Sequence, residues 1–198
     1  MIQIEIPEKV NRIISTLAAA GYEAYAVGGC VRDALLGREP ADWDITTSAS
    51  PYQVKALFAR TIDTGIQHGT VTVMLGKEGF EVTTYRLDGE YEDCRHPKEV
   101  VFTKSLLEDL NFTINAMAYN EERGLVDEFD GVGDLKRGII RCVGEARERF
   151  QEDALRMLRA VRFAAQLGFV LDEQTKQAIC ELRENLRKVS AERIQTEL

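Results

Sequence analysis

Two aspartates, Asp42 and Asp44, flank the only tryptophan of the chain in the stretch PADWDITT. The apolar and β-branched residues that follow them predict a strand. Because side chains two positions apart on a strand share a face, the two carboxylates converge and Trp43 points away from them. Such a pair repels unless a cation or a proton lies between the two groups. It therefore indicates a site for Mg²⁺, which prefers oxygen ligands, with a capped turn before a strand as the alternative.

A glycine pair, Gly28 and Gly29, occurs thirteen residues upstream in the stretch GGCVRD. It separates a predicted strand from a predicted helix, where glycine lets a phosphate approach the backbone and the first helical N–H groups face it. Arg32, one turn into the helix, is suited to bind the same phosphate, although a plain turn between strand and helix is the alternative. Together with the carboxylates, this turn indicates metal-dependent phosphoryl or nucleotidyl transfer. Glu81, on the predicted strand FEVTTYR, is either a third carboxylate of the site or a surface residue.

The elements that must position these residues form an α/β part of roughly 145 residues, followed by a helical C-terminal part. Helical spacing of apolar residues predicts a helix in PEKVNRIISTLAAAG, and Ser50 before Pro51 predicts the start of another. TVTVML and FEVTTYR predict a hairpin, and residues 87–105 predict a long polar loop. FTINAMAYN predicts a helix that runs into a strand, and LVDEFDGVGDLKRGIIRCVG predicts a glycine-rich turn with two short strands. The chain ends at AERIQTEL inside a helical pattern, which indicates a fragment of a longer protein.

The composition is that of an ordinary globular protein whose charge is unevenly distributed. The 198 residues carry a net charge of −8, yet residues 131–198 hold 13 basic against 11 acidic side chains, and the first 130 residues hold 12 against 22. This asymmetry fits an acidic metal-binding part joined to an arginine-rich part, or simply an unevenly charged surface. The four cysteines are dispersed and no apolar run approaches the ~18 residues of a membrane span. We therefore expect a reduced cytoplasmic protein without a disulfide framework or a zinc site.

The sequence resembles the class II tRNA nucleotidyltransferases and bacterial poly(A) polymerases of the polymerase-β superfamily. The resemblance begins with GGCVRDALLG and DWD and continues in the family's order through RLDGEYEDCRHPKEVVFTKSLLEDL, FTINAMAYN, DGVGDLKRGIIR, EDALRMLRAVRFAAQLGF and SAERIQTEL. It implies an α+β fold: a catalytic head over residues 1–145, with a small mixed β-sheet flanked by helices, and an all-helical neck over residues 146–198. The body and tail that grip the tRNA in the family would be missing.

The resemblance also assigns nucleotide selection to the stretch EDALRMLRAVRF. Asp153 and Arg156 are three apart on a predicted helix, so they are neighbours on one face, and one accepts hydrogen bonds while the other donates them. Cytosine and adenine both present an amine donor beside a ring-nitrogen acceptor, whereas uracil and guanine present the opposite order. The pair can thus accept CTP and ATP and refuse UTP and GTP, with Glu152 supporting it.

Two more arginines of this stretch, Arg159 and Arg162, match family positions that contact the nucleotide. Without the family, the same stretch predicts an amphipathic helix whose arginines face solvent and whose core residues are Leu155, Leu158 and Val161.

Two features bear on which family member the chain is. The loop DGEYEDCRHP resembles the flexible element of enzymes that add the terminal A, which favours a CCA-adding or A-adding enzyme over a CC-adding one. The family's Arg-Arg-Asp triplet, which contacts the incoming nucleotide, is missing between Asn111 and Phe112 in DLNFTIN. A deliberate deletion, a natural loss and residues omitted from the given sequence are the three explanations.

We therefore expect a template-independent nucleotidyltransferase that adds CMP and AMP from CTP and ATP to the 3′ end of tRNA and releases pyrophosphate. Mg²⁺, held by Asp42 and Asp44, is the expected cofactor. A bacterial poly(A) polymerase or an A-adding enzyme is the nearest alternative. A catalytically impaired RNA-binding relative is the alternative from another class, raised by the missing triplet, and the intact carboxylate pair argues against it.

Overall fold

The structure, a computed structural model, describes residues 2–85 and 110–198, which form two compact units. We call residues 2–85 and 117–126 the sheet unit, and residues 110–116 and 127–198 the helical unit. The predicted loop at residues 87–105, with the stretch DGEYEDCRHP, lies outside the described residues. The boundary between head and neck at residue 145 stays a prediction. In the described ranges, no helix combines the length and the apolar composition needed to cross a membrane.

The sheet unit is built on a seven-stranded sheet. Its strands are β1 (Ala24–Val27), β2 (Asp44–Thr47), β3 (Thr61–Gly65), β4 (Thr70–Leu75), β5 (Glu78–Thr84), β6 (Met117–Asn120) and β7 (Gly124–Asp127), and its helices are α1 (Glu8–Ala19), α2 (Gly29–Leu35) and α3 (Pro51–Leu57). The strand order is β3-β4-β5-β2-β1-β6-β7. β2 and β5 are parallel, whereas β1 pairs antiparallel with β2 and β6, and β4 pairs antiparallel with β3 and β5. The predicted mixed sheet and the predicted hairpin of β4 and β5 are confirmed.

The helices of the sheet unit begin and pack as the sequence predicts. The buried residues of α1 are Val10, Ile13, Ile14 and Leu17, a spacing that makes one apolar face of a helix. At the start of α3, the Ser50 hydroxyl accepts a hydrogen bond from the Gln53 backbone, and the Gln53 side chain bonds back to the Ser50 backbone. This reciprocal pair is a capping box, which fixes the first turn of the helix.

The helical unit contains five helices within its described residues. They are α4 (Gly131–Arg137), α5 (Ala146–Glu152), α6 (Leu155–Leu167), α7 (Glu173–Leu182) and α8 (Ala191–Glu197), with a 3₁₀ helix at Arg183–Lys188. Two short strands, β8 (Ile139–Ile140) and β9 (Val170–Leu171), pair in parallel. The prediction of a mostly helical chain from residue 146 is confirmed, with β9 as the exception.

The segment that begins at Phe112 is a series of turns rather than the predicted helix. Phe112 forms an isolated bridge with Cys142, and the Thr113 backbone N–H donates to the Arg141 carbonyl at 3.0 Å. These bonds hold the segment to a distant part of the chain, and its local bonds, such as that from the Ala116 N–H to the Phe112 carbonyl at 3.0 Å, close single turns only. The regular structure therefore starts at β6. The prediction was therefore wrong for the helix and right for the strand.

The glycine-rich stretch after Asp127 is a helix, α4, where we predicted a turn. The Asp127 carboxylate accepts hydrogen bonds from the backbone N–H groups of Gly131 at 2.7 Å and Val132 at 2.9 Å. These are donors of the first helical turn, which otherwise lack partners inside a helix. The carboxylate therefore offsets the poor helix propensity of the two glycines in GVGDLKR.

One buried carboxylate, Asp134, joins three parts of the helical unit. It has no exposed surface and accepts hydrogen bonds from the Thr113 hydroxyl at 2.7 Å, Arg137 at 2.8 Å and Arg141 at 3.0 Å. Arg141 also donates to Asp172 at 2.7 Å. Burial alone would raise the pKa of Asp134, but the hydrogen bonds from Thr113, Arg137 and Arg141 outweigh it and the pKa is lowered.

We predict that the Asp134→Asn variant loses about 3 kcal/mol of unfolding free energy, because an amide nitrogen would then face the donors that now meet a carboxylate. The lowered pKa means that this stabilisation is complete above the ordinary carboxyl pKa and is lost as the pH falls through the folded-state value. Urea titrations of the parent and the variant at pH 7 and in acid measure both effects. The matched control is Asp130→Asn, since Asp130 also pairs with Arg137 at 2.7 Å but is exposed; equal losses for the two variants would contradict the prediction.

Candidate active site

Asp44 and Glu81 lie side by side on adjacent strands. β2 and β5 pair with Ile45 opposite Val82. Asp44 and Glu81 each precede this pair by one residue, so both point to the face opposite to Ile45 and Val82. Ile45 and Val82 are each only 1% exposed, whereas both carboxylate residues are exposed. The structure thus brings together two of the three carboxylates that the sequence singled out.

Asp42 lies just outside the strand, contrary to our prediction that both aspartates sit on it. The antiparallel pairing of β1 with β2 ends at Val27 and Asp44, because β1 stops where Gly28 turns the chain into α2. Asp42 and Trp43 therefore have no ladder partner on that side. Asp42 is exposed and Trp43 is half-buried.

The charges of the three carboxylates nevertheless act on one another. Desolvation of the Asp44 side chain raises its pKa, and repulsion from Glu81 and then from Asp42 raises it further. Among the described residues, no group of three or more His, Cys, Asp or Glu side chains has an arrangement that could hold a metal ion. The donor set is therefore two aspartates in an acidic surface, which suits a hard cation whose remaining ligands come from phosphate oxygens or water.

These carboxylates open into a pocket of about 880 Å³ in the sheet unit. Its wall is formed by three segments and one further side chain: the start of α1, the chain around Trp43, the first half of β5 and Thr72. Thr72 lies directly across from Glu81 in the pairing of β4 with β5. The pocket is thus an acidic cleft of the size of a small ligand.

The predicted phosphate-binding turn has the backbone shape that glycine allows. Gly28 adopts a φ of 82° and precedes the first residue of α2. At Gly29, an added Cβ would lie 3.5 Å from Nη2 of Arg32, so the guanidinium rests against the glycine. Arg32 donates to both carboxylate oxygens of Asp33, at 2.8 and 3.0 Å. The role of this turn toward phosphate stays a prediction.

Cys30, which the sequence analysis passed over, lies next to Asp44. Its thiol donates to the Val27 carbonyl at 3.2 Å and is buried. Burial raises its pKa to about 11, although hydrogen bonding to the Asp44 backbone opposes this effect. The thiol is therefore neutral and packs under the strand as a small apolar group.

Asp153, the predicted base reader, lies between two helices rather than on one. It ends α5 in an extended conformation, with φ −146° and ψ 107°, before α6 begins at Leu155. One carboxylate oxygen accepts from the Leu155 backbone at 3.1 Å, and the other accepts from Arg193 at 2.7 Å. The single helix predicted over this stretch is therefore wrong, because the Asp153 carboxylate caps the second helix in the manner of an N-terminal aspartate.

Arg156 and Glu152 pair with each other, and the role of Glu152 as a supporting carboxylate stays a prediction. Arg156 donates to a Glu152 oxygen and, at 3.1 Å, to the Arg149 carbonyl. The hydrogen bond from Arg156 lowers the pKa of Glu152. Both bonds use the same nitrogen of Arg156, which leaves N–H donors of the guanidinium for another acceptor. The predicted roles of Asp153 and Arg156 toward a base stay predictions.

Arg159 and Arg162 share one buried carboxylate, that of Glu197. Arg159 Nε lies 3.0 Å from one oxygen of Glu197 and Arg162 Nη2 lies 2.8 Å from the other. Glu197 is 8% exposed, whereas Val161 on α6 is 48% exposed and is no core residue. The sequence analysis did not single out Glu197, and a glutamate at the last position of a helical pattern gave no signal for it.

We predict that Glu197→Gln lowers the unfolding free energy by about 2 kcal/mol, because it removes the shared counter-charge of two partly buried guanidinium groups. The control is Glu192→Gln on the same helix, whose side chain is exposed; its expected change is below about 0.5 kcal/mol. Thermal unfolding monitored by circular dichroism measures both. A Glu197→Gln variant as stable as the control would show that the carboxylate is not what joins α6 to α8.

At the position of the missing triplet, Asn111 adopts a left-handed conformation with φ 65° and is 9% exposed. Its carbonyl accepts from the Val143 backbone at 2.9 Å, and its side-chain oxygen has no hydrogen-bond partner among the described residues. Phe112, the next residue, packs edge-on against Phe163 at 5.7 Å. The two residues that flank the position of the missing triplet, Asn111 and Phe112, are thus both held by contacts within the helical unit. The structure does not explain why the triplet is missing.

Comparison with known proteins identifies the family. Residues 24–141 match the model of the poly A polymerase head domain, and residues 168–198 match that of the probable RNA and SrmB-binding site of polymerase A. The chain therefore belongs to the poly A polymerase head-domain family, as the sequence motifs predict. Nucleotidyltransferases of this family typically use a divalent metal ion.

Within this family the chain is similar to CCA-adding enzymes. It is 52% identical to the CCA-adding enzyme of Lactiplantibacillus plantarum, over 100% of this chain and 50% of the relative. The solved structure of the Bacillus stearothermophilus CCA-adding enzyme in complex with CTP matches it with a TM-score of 0.89 and 45% identity, over 98% of this chain and 48% of that one. A tRNA nucleotidyltransferase with a primer tRNA and an incoming ATP analogue matches with a TM-score of 0.78 and 32% identity, over 93% and 54%. The chain thus spans about half the length of these relatives.

Proposed function

We propose that the chain is the nucleotide-transferring part of an enzyme that adds CMP and AMP from CTP and ATP to the 3′ end of tRNA and releases pyrophosphate. The observation that carries the proposal is the group of Asp42, Asp44 and Glu81 at an acidic pocket, in a chain that belongs to a nucleotidyltransferase family. Relatives named CCA-adding enzymes, one of them solved with CTP, and a tRNA nucleotidyltransferase solved with a primer tRNA support the choice of substrates.

The residues present fit a magnesium ion. Desolvation and then repulsion from Glu81 and Asp42 raise the pKa of Asp44, and a bound cation would offset that repulsion. We propose that Asp42 and Asp44 hold Mg²⁺ and that phosphate oxygens of the nucleotide complete its shell. When bound, the ion lowers the pKa of the attacking 3′-hydroxyl and neutralises charge on the triphosphate.

The other residues bind and orient in this proposal. Gly28 and Gly29 let the triphosphate approach the backbone, with Arg32 as its cationic contact. Asp153 keeps a free lone pair on each oxygen after its bonds to Leu155 and Arg193, so it retains the capacity to accept from a base amine.

Three arginines of α6, Arg156, Arg159 and Arg162, are proposed to donate hydrogen bonds to the nucleotide. Arg156 supplies the matching donor to the ring nitrogen of the base. Glu197 pairs with both Arg159 and Arg162 and balances only one of their two positive charges, so we propose that they contact the nucleotide through the N–H groups that the carboxylate leaves free.

We further propose that residues 1–145 act as the catalytic head and residues 146–198 as the neck, and that the protein works in the cytoplasm. The family matches at residues 24–141 and 168–198 support the division. Free thiols at Cys30, Cys142 and Cys180 support a reducing compartment.

The test is to incubate the chain with tRNA lacking its 3′ end, Mg²⁺ and labelled CTP and ATP. In parallel, the chain is joined to the part of the L. plantarum relative that it does not match, since it spans half of that protein. Addition of C, C and A that then stops supports the proposal. Long A tracts on arbitrary RNA would identify a poly(A) polymerase, A alone would identify an A-adding enzyme, and RNA binding without incorporation in both chains would support an impaired relative.

A further inference from the structure

The wall of the acidic pocket includes a basic side chain. Among the described residues that line it, five are carboxylates (Glu8, Asp42, Asp44, Glu78 and Glu81), and Lys9 is the cation. An excess of negative charge suits a divalent cation, but it repels the phosphates of a nucleotide or of an RNA end. A substrate that carries several negative charges therefore gains from any cation at this wall.

Local structure does not favour a lysine at position 9. It lies in the first turn of α1, where the helix dipole disfavours a positive side chain. Its ammonium group donates to Glu78 at 2.5 Å, but the two side chains are 47% and 61% exposed, and such surface pairs contribute little to stability. A residue placed against its local preference at the wall of an active site is more typical of function than of folding.

Glu78, which binds the Lys9 ammonium group, also lines the pocket. It is the first residue of β5, the strand that also carries Glu81 three positions later. Because the pair is exposed, a phosphate oxygen is free to replace the Glu78 carboxylate as the partner of Lys9. The exchange conserves the charge-assisted hydrogen bond of the ammonium group while it brings the substrate to the carboxylates.

We propose that Lys9 is a substrate-positioning residue that binds a phosphate group of the incoming nucleotide or of the acceptor RNA end, with Glu78 as the counter-ion that the phosphate displaces. This role rests on the proposed nucleotidyl transfer and adds to it a contact from α1, outside the motifs that define the family resemblance.

The test compares Lys9→Gln, Glu78→Gln and the control Lys77→Gln. Lys77 lies in the turn between β4 and β5, is exposed and does not line the pocket. We expect Lys9→Gln to raise KM about tenfold with kcat within about twofold, since a charge-assisted bond to phosphate is lost. We expect Glu78→Gln to lower KM, because it frees the ammonium group for the phosphate, and Lys77→Gln to match the parent.

The experiment distinguishes the nucleotide from the acceptor RNA as the source of the phosphate. It also distinguishes a failure of this inference from a failure of the proposed function. A higher KM for CTP assigns Lys9 to the nucleotide, and a higher KM for tRNA assigns it to the acceptor end. Calorimetric titration of the chain with CTP and Mg²⁺ gives a second readout that does not depend on turnover. If the parent is active and Lys9→Gln and Glu78→Gln are impaired alike, the pair is a structural contact and this inference is wrong. If the parent neither incorporates nor binds nucleotide, the proposed function itself is wrong.

Discussion

The Asp44→Asn variant is expected to lose at least ~10³-fold in nucleotide incorporation and yet to unfold at a higher temperature than the parent. The loss follows because a metal ligand supplies several kcal/mol of charge stabilisation in the transition state, and about 4 kcal/mol corresponds to a factor of ~10³. The gain follows because desolvation and repulsion from Glu81 and Asp42 raise the pKa of Asp44, so the charged form costs free energy on folding. A neutral amide of the same shape removes that cost.

Incorporation assays and thermal unfolding without Mg²⁺ measure the two effects. Asp63→Asn is the control, since Asp63 is an exposed aspartate of β3 in the same unit, paired with Lys55 at 2.8 Å. It should change neither quantity appreciably. Added Mg²⁺ should raise the unfolding temperature of the parent more than that of Asp44→Asn, because only the parent keeps both carboxylates. Full activity of Asp44→Asn would refute the metal assignment.

The second large effect is expected at Asp153. The Asp153→Asn variant should discriminate CTP and ATP from UTP and GTP about 10- to 100-fold less well, because an unsatisfied buried polar group costs ~1–3 kcal/mol. An aspartate offers acceptors alone, whereas an amide can turn to present either its oxygen or its nitrogen to a base. The variant therefore no longer disfavours UTP and GTP, whose bases present donor and acceptor in the opposite order.

Binding of the four nucleotides, measured separately, gives the discrimination directly. Arg193→Gln is the matched control, because it breaks the 2.7 Å contact to Asp153 while it leaves the carboxylate in place. If selection depends on the carboxylate, Arg193→Gln keeps most of it and Asp153→Asn does not. Equal losses would mean that Asp153 acts only through its bond to α8, and unchanged selection in Asp153→Asn would exclude it as a base reader.

The sequence predicts elements well where a single local rule governs them. The apolar spacing in α1, the cap at Ser50 and the alternation in β4 and β5 each specify one conformation, and the structure has it. The same is true of Gly28, whose left-handed φ is available to glycine at little cost.

The predictions that proved wrong fall where side-chain contacts, near or distant in sequence, decide the conformation. α4 depends on the Asp127 carboxylate, and the turns after Phe112 depend on Arg141 and Cys142. The break after Glu152 depends on a carboxylate that caps the next helix. Glu197 acquires its role from a fold that brings it to α6. Arg141, Cys142 and Glu197 are distant in sequence from their partners, so spacing rules could not have found these contacts. Asp127 and Asp153 lie two to five positions from the N–H groups that they bind, within reach of the rule that aspartate precedes a helix.

Because β2 and β5 pair in parallel, Asp44 and Glu81 meet only when two strands that are distant in sequence have paired. Antiparallel neighbours such as β4 and β5 close through a short turn, but the hydroxyl of Thr46 meets the carbonyl of Thr83 across 37 positions of sequence. Pairing across such a separation costs more loop-closure entropy than closing a hairpin does, so it is slower to form. Asp44 and Glu81 therefore meet later than the hairpin of β4 and β5 forms, and chains that have made only local contacts lack the acidic cleft. Activity thereby reports that β2 and β5 have paired.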